Sequence, residues 1–272
     1  MDKLGALIAV GLTAEIFAWR EGCVLKLFRL GRSPQTVEYE ARLSRAVHAT
    51  GLPVPAVGDV IEMNGRFGLE LERVDGPSMT EMLIRKPWKL PLFARQLANL
   101  QADMHTRQVP ELPSQKECLI SKISGAEKLP EQVRQAAFSV VNQMPEENQL
   151  CHGDFHPGNI LLTRRGPVII DWIDASRGSP LMDVARSSLL FGGGRLPSGF
   201  HGAQLLNIIQ RPFYQIYLRR YFQLNPIEGK QLEVYIPVAA AARMDEGIYF
   251  DEDRLLALAR QLVDKDQSTR YQ

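Results

Sequence analysis

Cysteine is scarce. Cys23, Cys118 and Cys151 are the three in 272 residues. An odd, widely spaced set builds no disulfide framework and cannot give zinc four thiolates, and it suits a reducing cytoplasm. An excess of charge of either sign is also missing: 32 Lys+Arg stand against 31 Asp+Glu, for a formal net charge of +1. That balance removes the electrostatic footprint of a dedicated nucleic-acid binder. No apolar run nears the roughly 18 residues that span a bilayer, so no membrane segment is expected. Internal repeats and low-complexity tracts are lacking. What remains is an ordinary globular composition, 45% hydrophobic and 23% charged, long enough for one large domain or two lobes. Leu4 to Ala14, apolar behind Lys3, has the outline of a short leader. Asp2 spoils its basic start, and the pattern continues into Glu15-Ile16-Phe17-Ala18-Trp19, so a first strand and its turn are expected there.

The first third reads as strands: Leu7 to Val10, Glu15 to Arg20 and Cys23 to Phe28, punctuated by Gly11-Leu12-Thr13 and Glu21-Gly22. Ser33-Pro34 opens a helix whose imperfect apolar face is Val37, Ala41, Leu43, Ala46 and Val47; Gly51 and Pro53-Val54-Pro55 end it. Ala56 to Met63 and Phe67 to Val74 form two further strands around an Asn64-Gly65 turn. From Ser78 the character becomes helical. Leu92 to His105, Glu131 to Gln143, Leu181 to Leu190, Leu205 to Phe222, Gln231 to Ala242 and Arg254 to Val263 all read as helices. They are interrupted by a strand–loop–strand–turn–strand block from Leu150 to Asp171. The organisation is a small β-rich N-terminal lobe and a larger helical one, with the joint near Asp75-Gly76-Pro77.

The densest signal lies in that block. His152-Gly153-Asp154-Phe155-His156-Pro157-Gly158-Asn159 contains an Asp followed after four residues by Asn, and Asp171 ends the apolar run Val168-Ile169-Ile170 twelve residues later. Phosphoryl transfer from a nucleoside triphosphate needs such a set. One carboxylate sits beside the attacking hydroxyl, and another, with a neutral oxygen donor, holds Mg²⁺ against the phosphates.

These segments resemble the aminoglycoside phosphotransferase-like family of small-molecule kinases, which share the protein-kinase fold. Ile170-Asp171-Trp172-Ile173-Asp174-Ala175 and Gly178-Ser179-Pro180-Leu181-Met182-Asp183-Val184-Ala185 add to the likeness, which extends from Leu7 to about Ala242. The resemblance implies an α+β, protein-kinase-like fold of two lobes. Residues 1–75 would bind nucleotide, and residues 76–272 would carry catalysis and the acceptor. It implies transfer of the γ-phosphate of ATP, or GTP, to a hydroxyl of a small molecule with Mg²⁺, by a cytoplasmic enzyme acting on neither nucleic acid nor membrane. Asp154 takes the role of the catalytic carboxylate, and Asn159 and Asp171 become the magnesium ligands. Lys26 matches the lysine on the α- and β-phosphates. Glu40 is its ion-pair partner, with Glu38 as the alternative register. Gly11, Thr13 and Ala14 would cover the phosphates through backbone N–H groups, and the Glu72 carbonyl and Val74 N–H would read the base. Asp183 matches a buried carboxylate that supports the catalytic loop. The sequence departs from protein kinases in having a single glycine, Gly11, in the phosphate loop and Gly178-Ser179-Pro180 in place of Ala-Pro-Glu; both departures disfavour a protein substrate.

Other readings stand beside these. His152 and His105 are read as hydrogen-bonding and packed residues. His156 is read as loop structure, with a substrate contact as the alternative, and Asp174 is open between a site role and a turn cap. Asp103-Met104-His105 with Asp154 and Asn159 sketches a metallophosphatase, but Ile160 stands where that site needs histidine, and downstream only His201 remains. A silent kinase-fold scaffold is the other alternative. The acceptor is open: the acidic residues Asp245, Glu246, Asp251, Glu252 and Asp253 suit a cation, whereas Arg195, Arg211, Arg219 and Arg220 suit an anion.

Overall fold

The computed structural model describes residues 4–11, 13–193, 199, 202–226, 231–247 and 249–270. They divide into two compact units, one of residues 1–79 with 158–175, the other of 80–157 with 176–272.

The first unit is built on a five-stranded antiparallel sheet. Its strands are β1 (Leu7–Val10), β2 (Ala14–Ala18), β3 (Cys23–Phe28), β4 (Val57–Met63) and β5 (Arg66–Glu72), in the order β1-β2-β3-β5-β4. The turn between β4 and β5 puts both Asn64 and Gly65 at positive φ, 53° and 71°, as a two-residue hairpin of this hand requires. Helix α1 (Pro34–His48) starts where Ser33 accepts the Thr36 N–H on its side chain and Pro34 presets the first turn. Its inner stripe is Val37, Glu40, Ala41, Ser44 and Val47, at helical spacing. Val37 and Ala41 form one core with Ala14, Phe28 and Leu69 from the sheet. The expected first strand is present at the sheet edge, with Leu7, Ile8 and Val10 exposed by 52%, 49% and 62%.

The expected boundary at 75/76 differs from the structural one because a later segment returns. Strands β7 (Ile160–Thr163) and β8 (Gly166–Ile169) form a hairpin. The Leu162 N–H donates to the Pro77 carbonyl at 2.9 Å, and the Ile169 N–H donates to the Pro53 carbonyl at 2.8 Å. These bonds tie the hairpin to the chain before residue 79. A side chain on Gly76 would strike the Leu162 backbone, so the approach needs glycine.

The second unit is helical. It comprises α2 (Met79–Arg85), α3 (Leu90–Met104), α4 (Gln115–Gly125), α5 (Glu131–Gln143), α6 (Pro180–Phe191), α7 (Ala203–Leu224), α8 (Leu232–Arg243) and α9 (Glu252–Arg270). A short ladder of β6 (Gln149–Cys151) with β9 (Ser176–Gly178) joins them. Helix α3 packs on α7, and α8 packs on both α6 and α9. Three of these elements were not legible in the sequence. Helix α2 has seven residues, β9 has three, and α4 buries only Gln115, Leu119 and Ile123 among charged neighbours.

Candidate functional site

In the first unit, burial places a charge where it must be paired. Lys26 lies in the middle of the central strand β3, across from Leu69. Glu40 is 3% exposed and is the one charged residue on the inner stripe of α1. An unpaired ion at either place would cost several kcal/mol (roughly) in desolvation. The two meet, with the Lys26 Nζ 2.7 Å from Glu40 Oε1 and 2.9 Å from Asp171 Oδ1. Burial pulls the Lys26 pKa down, but the Asp171 and Glu40 carboxylates outweigh it and leave the ammonium held above its ordinary value. Burial pushes the Glu40 carboxyl up despite Lys26. The alternative, Glu38, faces outward and is exposed.

Asp171 was expected to end a strand. Instead β8 stops at Ile169, and Asp171 adopts φ 69°, a left-handed conformation uncommon outside glycine. Its side chain stays 42% exposed while one oxygen holds Lys26. Asn159 sits at the same end of the hairpin, because Ile160 pairs with Ile169 and the Ile170 N–H donates to the Asn159 carbonyl at 3.0 Å. An amide and a carboxylate are a sparse donor set. Among the described residues no group of three or more His, Cys, Asp or Glu could cage a metal. Such a pair fits an ion that keeps water and substrate oxygens as its other ligands, which is the habit of Mg²⁺.

The remaining positions proposed for nucleotide lie at turns and strand ends of this unit. The Gly11 N–H donates to the Ala14 carbonyl at 2.8 Å, its carbonyl accepts from Arg29, and the Arg29 N–H donates to the Thr13 carbonyl at 3.0 Å. Leu12, between them, lies outside the described residues. Glu72 closes β5, and its carboxylate accepts from the Ala56 N–H and from Arg165; Val74 follows, half-buried.

In the second unit, the loop after β6 is held from behind. Asp183 on α6 is fully buried, and its carboxylate accepts from the Gly153 N–H at 2.7 Å, Gln101 Nε2 at 2.9 Å and His105 Nε2 at 3.1 Å. Burial would raise its pKa, but His105, the Gly153 N–H and Gln101 together keep it below the ordinary value. His105 Nδ1 lies 2.6 Å from the Tyr221 hydroxyl, and the Tyr217 hydroxyl donates to Gln101. His152, with no exposed surface, accepts the Asp154 N–H on Nδ1 at 3.2 Å, the hydrogen-bonding role expected of it.

Asp154 is thereby aimed by its own backbone. Arg186 Nη2 is 3.3 Å from its Oδ1, and His156 Nε2 is 3.5 Å from its Oδ2. Burial works against the charge on Asp154, but His156, Arg186 and His152 hold its carboxyl far below the usual carboxylate range. Arg186 also donates from Nε to the Gly153 carbonyl at 3.0 Å and reaches Glu246 Oε1 at 2.6 Å. Sequence reasoning missed Arg186, Gln101, Tyr217 and Tyr221. Arg186 stands three residues after Asp183, hence on the same face of α6, and that spacing was the available signal.

Asp103 and His105 do not share a site: Asp103 pairs with Arg107 at the surface, whereas His105 turns inward to Asp183. His201 and Arg195 lie outside the described residues. Arg219 and Arg220, with Arg95, line a cleft of about 620 Å³ between α3 and α7.

A family model for the phosphotransferase enzyme family matches residues 13–222, which leave out β1, Gly11, the end of α7, Arg243, Glu246 and the last helices. The chain belongs to the phosphotransferase enzyme family. No match is found among curated proteins. The phosphotransferase fold is found again among solved structures. A thermostable mutant of the aminoglycoside phosphotransferase APH(4)-Ia, in its apo form, superposes with a TM-score of 0.66 at 16% identity, over 97% of this chain and 95% of that one. A putative fructosamine-3-kinase from Haemophilus somnus gives a TM-score of 0.64 at 16% identity, over 96% and 92%. The amicoumacin kinase hAmiN, in complex with AMP-PNP, Ca²⁺ and Ami, gives 0.60 at 16% identity, over 96% and 88%. The fold class of the phosphotransferase is therefore the α+β, protein-kinase-like one, with an antiparallel N-terminal sheet and a helical C-terminal part. No described helix is long and apolar enough to cross a membrane.

Proposed function

We propose that this phosphotransferase moves the γ-phosphate of ATP, or of GTP, to a hydroxyl group of a small molecule with the help of Mg²⁺, in the cytoplasm. The observation that carries the reading is the Lys26 ammonium shared between Glu40 and Asp171. A fixed cation beside a half-exposed carboxylate is what a triphosphate with its metal needs. AMP-PNP in the complexes of APH(4)-Ia with hygromycin B and of the amicoumacin kinase supports a nucleotide co-substrate. In this reading the first unit receives the nucleotide. The backbone of Gly11, Thr13 and Ala14 lies over the phosphates, Lys26 grips their oxygens, and Glu40 keeps Lys26 in place. The Glu72 carbonyl and the Val74 N–H pair with the base. Asn159 and Asp171 would hold Mg²⁺, which when bound supplies charge neutralisation to the phosphates.

The second unit receives the acceptor. The acceptor oxygen forms the new bond to γ-phosphorus as the bond to the β-phosphate oxygen breaks, and ADP leaves. The hydroxyl proton passes to an Asp154 carboxylate oxygen. Because Asp154 is held as a strongly acidic carboxyl, it orients the hydroxyl and takes the proton late instead of drawing it off beforehand. Such a division suits phosphoryl transfer, in which positioning and charge stabilisation dominate. The test is ADP release from Mg²⁺-ATP over a panel of hydroxyl compounds, with Lys26→Met and Asp154→Ala as controls. Acceptor-dependent release that both variants abolish supports the reading. Nucleotide binding without turnover on any acceptor would instead mean a silent scaffold.

A further inference from the structure

Three of the acidic residues near the C-terminus, Glu246, Asp251 and Glu252, are already paired. Asp251 accepts from Arg254 at 2.8 and 2.6 Å, and Glu252 pairs with Lys128 at 2.7 Å. Glu246 is shared by Arg186 at 2.6 Å, Arg243 at 3.7 Å and Lys122 at 4.0 Å. Asp245 lies against Gly125, close enough that a side chain there would strike its carboxylate. The three cations come from α4, α6 and the end of α8, and the one carboxylate among them stands on a single turn, Met244–Glu246, closed by Gly247 in the left-handed region. The cluster is joined to Asp154 through Arg186.

Cations crowd around a single carboxylate there. Lys122, Arg186 and Arg243 face Glu246 and Asp154. Arg243 is the member left short: its side chain is 13% exposed, and among the described residues neither Nε nor Nη1 has a hydrogen-bond acceptor. Guanidinium donors buried without acceptors forfeit their hydration with nothing in return. Burial and the neighbouring Arg186 accordingly lower the Arg243 pKa to about 10, against the pull of Glu246, Asp154 and Asp251. A second anion beside Glu246 would supply the missing acceptors.

We propose that Arg243, with Arg186 and Lys122, forms the specificity site for an acceptor that carries a carboxylate, and that Glu246 on its surface turn occupies part of that place until the acceptor arrives. The inference rests on the kinase reading for the role of Asp154, and it opposes a polycationic acceptor. A carboxylate that takes the place of Glu246 beside Arg243 sets the rest of the molecule, with its hydroxyl, toward Asp154, since Arg186 reaches both Glu246 and Asp154.

Three open-chain polyols that differ only at one end make the test: D-gluconate (carboxylate), D-glucitol (neutral) and D-glucamine (ammonium). Binding is read by calorimetry and turnover by ADP release from Mg²⁺-ATP. Gluconate should lead both, by about tenfold or more, as a charge-assisted hydrogen bond of this kind warrants. Arg243→Gln should erase the preference and Arg243→Lys should recover part of it. Glu246→Gln, a surface change, should strengthen gluconate binding. A lead for glucamine or glucitol, or a gluconate preference that survives Arg243→Gln, overturns the anion site while leaving the kinase reading standing. Gluconate binding that needs Arg243, without ADP release on any of the three, supports the anion site and counts against the kinase reading. No binding of gluconate overturns the site.

Discussion

Asp183→Asn is nearly isosteric, and its cost can be worked from the geometry. The carboxylate receives three donors: the Gly153 N–H at 2.7 Å, Gln101 Nε2 at 2.9 Å and His105 Nε2 at 3.1 Å. An Asn side chain keeps one acceptor for Gly153 but turns an NH₂ toward Gln101 and His105. His105 can answer by changing tautomer. Gln101 can answer only by flipping, which takes its oxygen away from the fully buried Tyr217 hydroxyl. One buried polar group is therefore left without a partner, at about 1–3 kcal/mol, and charge-assisted bonds worth roughly 1.5–3 kcal/mol are weakened. The expected loss is about 3 kcal/mol, or a Tm lower by about 6–12 °C for a chain of this size. Thermal unfolding followed by circular dichroism measures it. The folded pKa of Asp183 is depressed, so its contribution is fully present above the unfolded carboxylate value of about 3.9 and fades as pH falls below it. The gap between wild type and variant should thus be full at neutral pH and shrink in acid below that value. A Tm within about 2 °C of wild type at pH 7 would refute the reasoning, because that shift corresponds to less than roughly 1 kcal/mol.

Asp154→Asn should lower turnover by about a hundredfold or more, the usual cost of removing a positioned acid–base group. In the wild type, kcat against pH should show no acid limb down to about pH 4, since the carboxyl is held far below the ordinary range of free carboxylates. Glu40→Gln leaves Lys26 with Asp171 alone and should raise the KM for nucleotide by at least about tenfold, while Glu38→Gln should leave it within about twofold; equal effects would remove the register argument. Gly178→Ala places a methyl group against the Gln115 side chain, whose amide Oε1 accepts the Ser179 N–H, so a loss of about 1–3 kcal/mol in urea unfolding is expected.

The parts of this molecule legible in its sequence are those whose partners are near in the chain. The hairpin at Asn64-Gly65 and the Ser33-Pro34 helix start are written in two residues each, and both form where expected. Lys26 and Glu40 are separated by one strand end and one helix, and the helical period alone chooses Glu40 over Glu38 for the buried side. Legibility fails where the backbone leaves its regular conformation or where partners are distant. The apolar run Val168-Ile169-Ile170 suggested a strand as far as Asp171, but the left-handed turn at that residue is a local conformation that hydrophobic pattern cannot encode. The same turn leaves its carboxylate beside Lys26.

The support behind Asp154 shows the second failure. Gln101, His105, Asp183, Ser187, Tyr217 and Tyr221 form one buried network drawn from α3, α6 and α7. In the sequence each of these polar residues interrupts an apolar helical face and reads as a defect in the pattern. They are tolerated because each meets another, so that no donor is stranded around the Asp183 carboxylate. The consequence is local stiffness where it matters. The Gly153 N–H is held by Asp183 and the Gly153 carbonyl by Arg186, so the residue preceding Asp154 is clamped through both of its peptide groups. A helix face carrying Asp183 and Arg186 three residues apart thus positions one loop residue twice. The Arg186 side chain also helps His156 keep Asp154 ionised and ties it to the cations around Glu246. In the proposed reading the acceptor site and the carboxylate that orients the reacting hydroxyl meet at the Arg186 guanidinium. Arg186→Lys, which keeps the charge but not the three-way fork, should lower kcat and relax acceptor preference together.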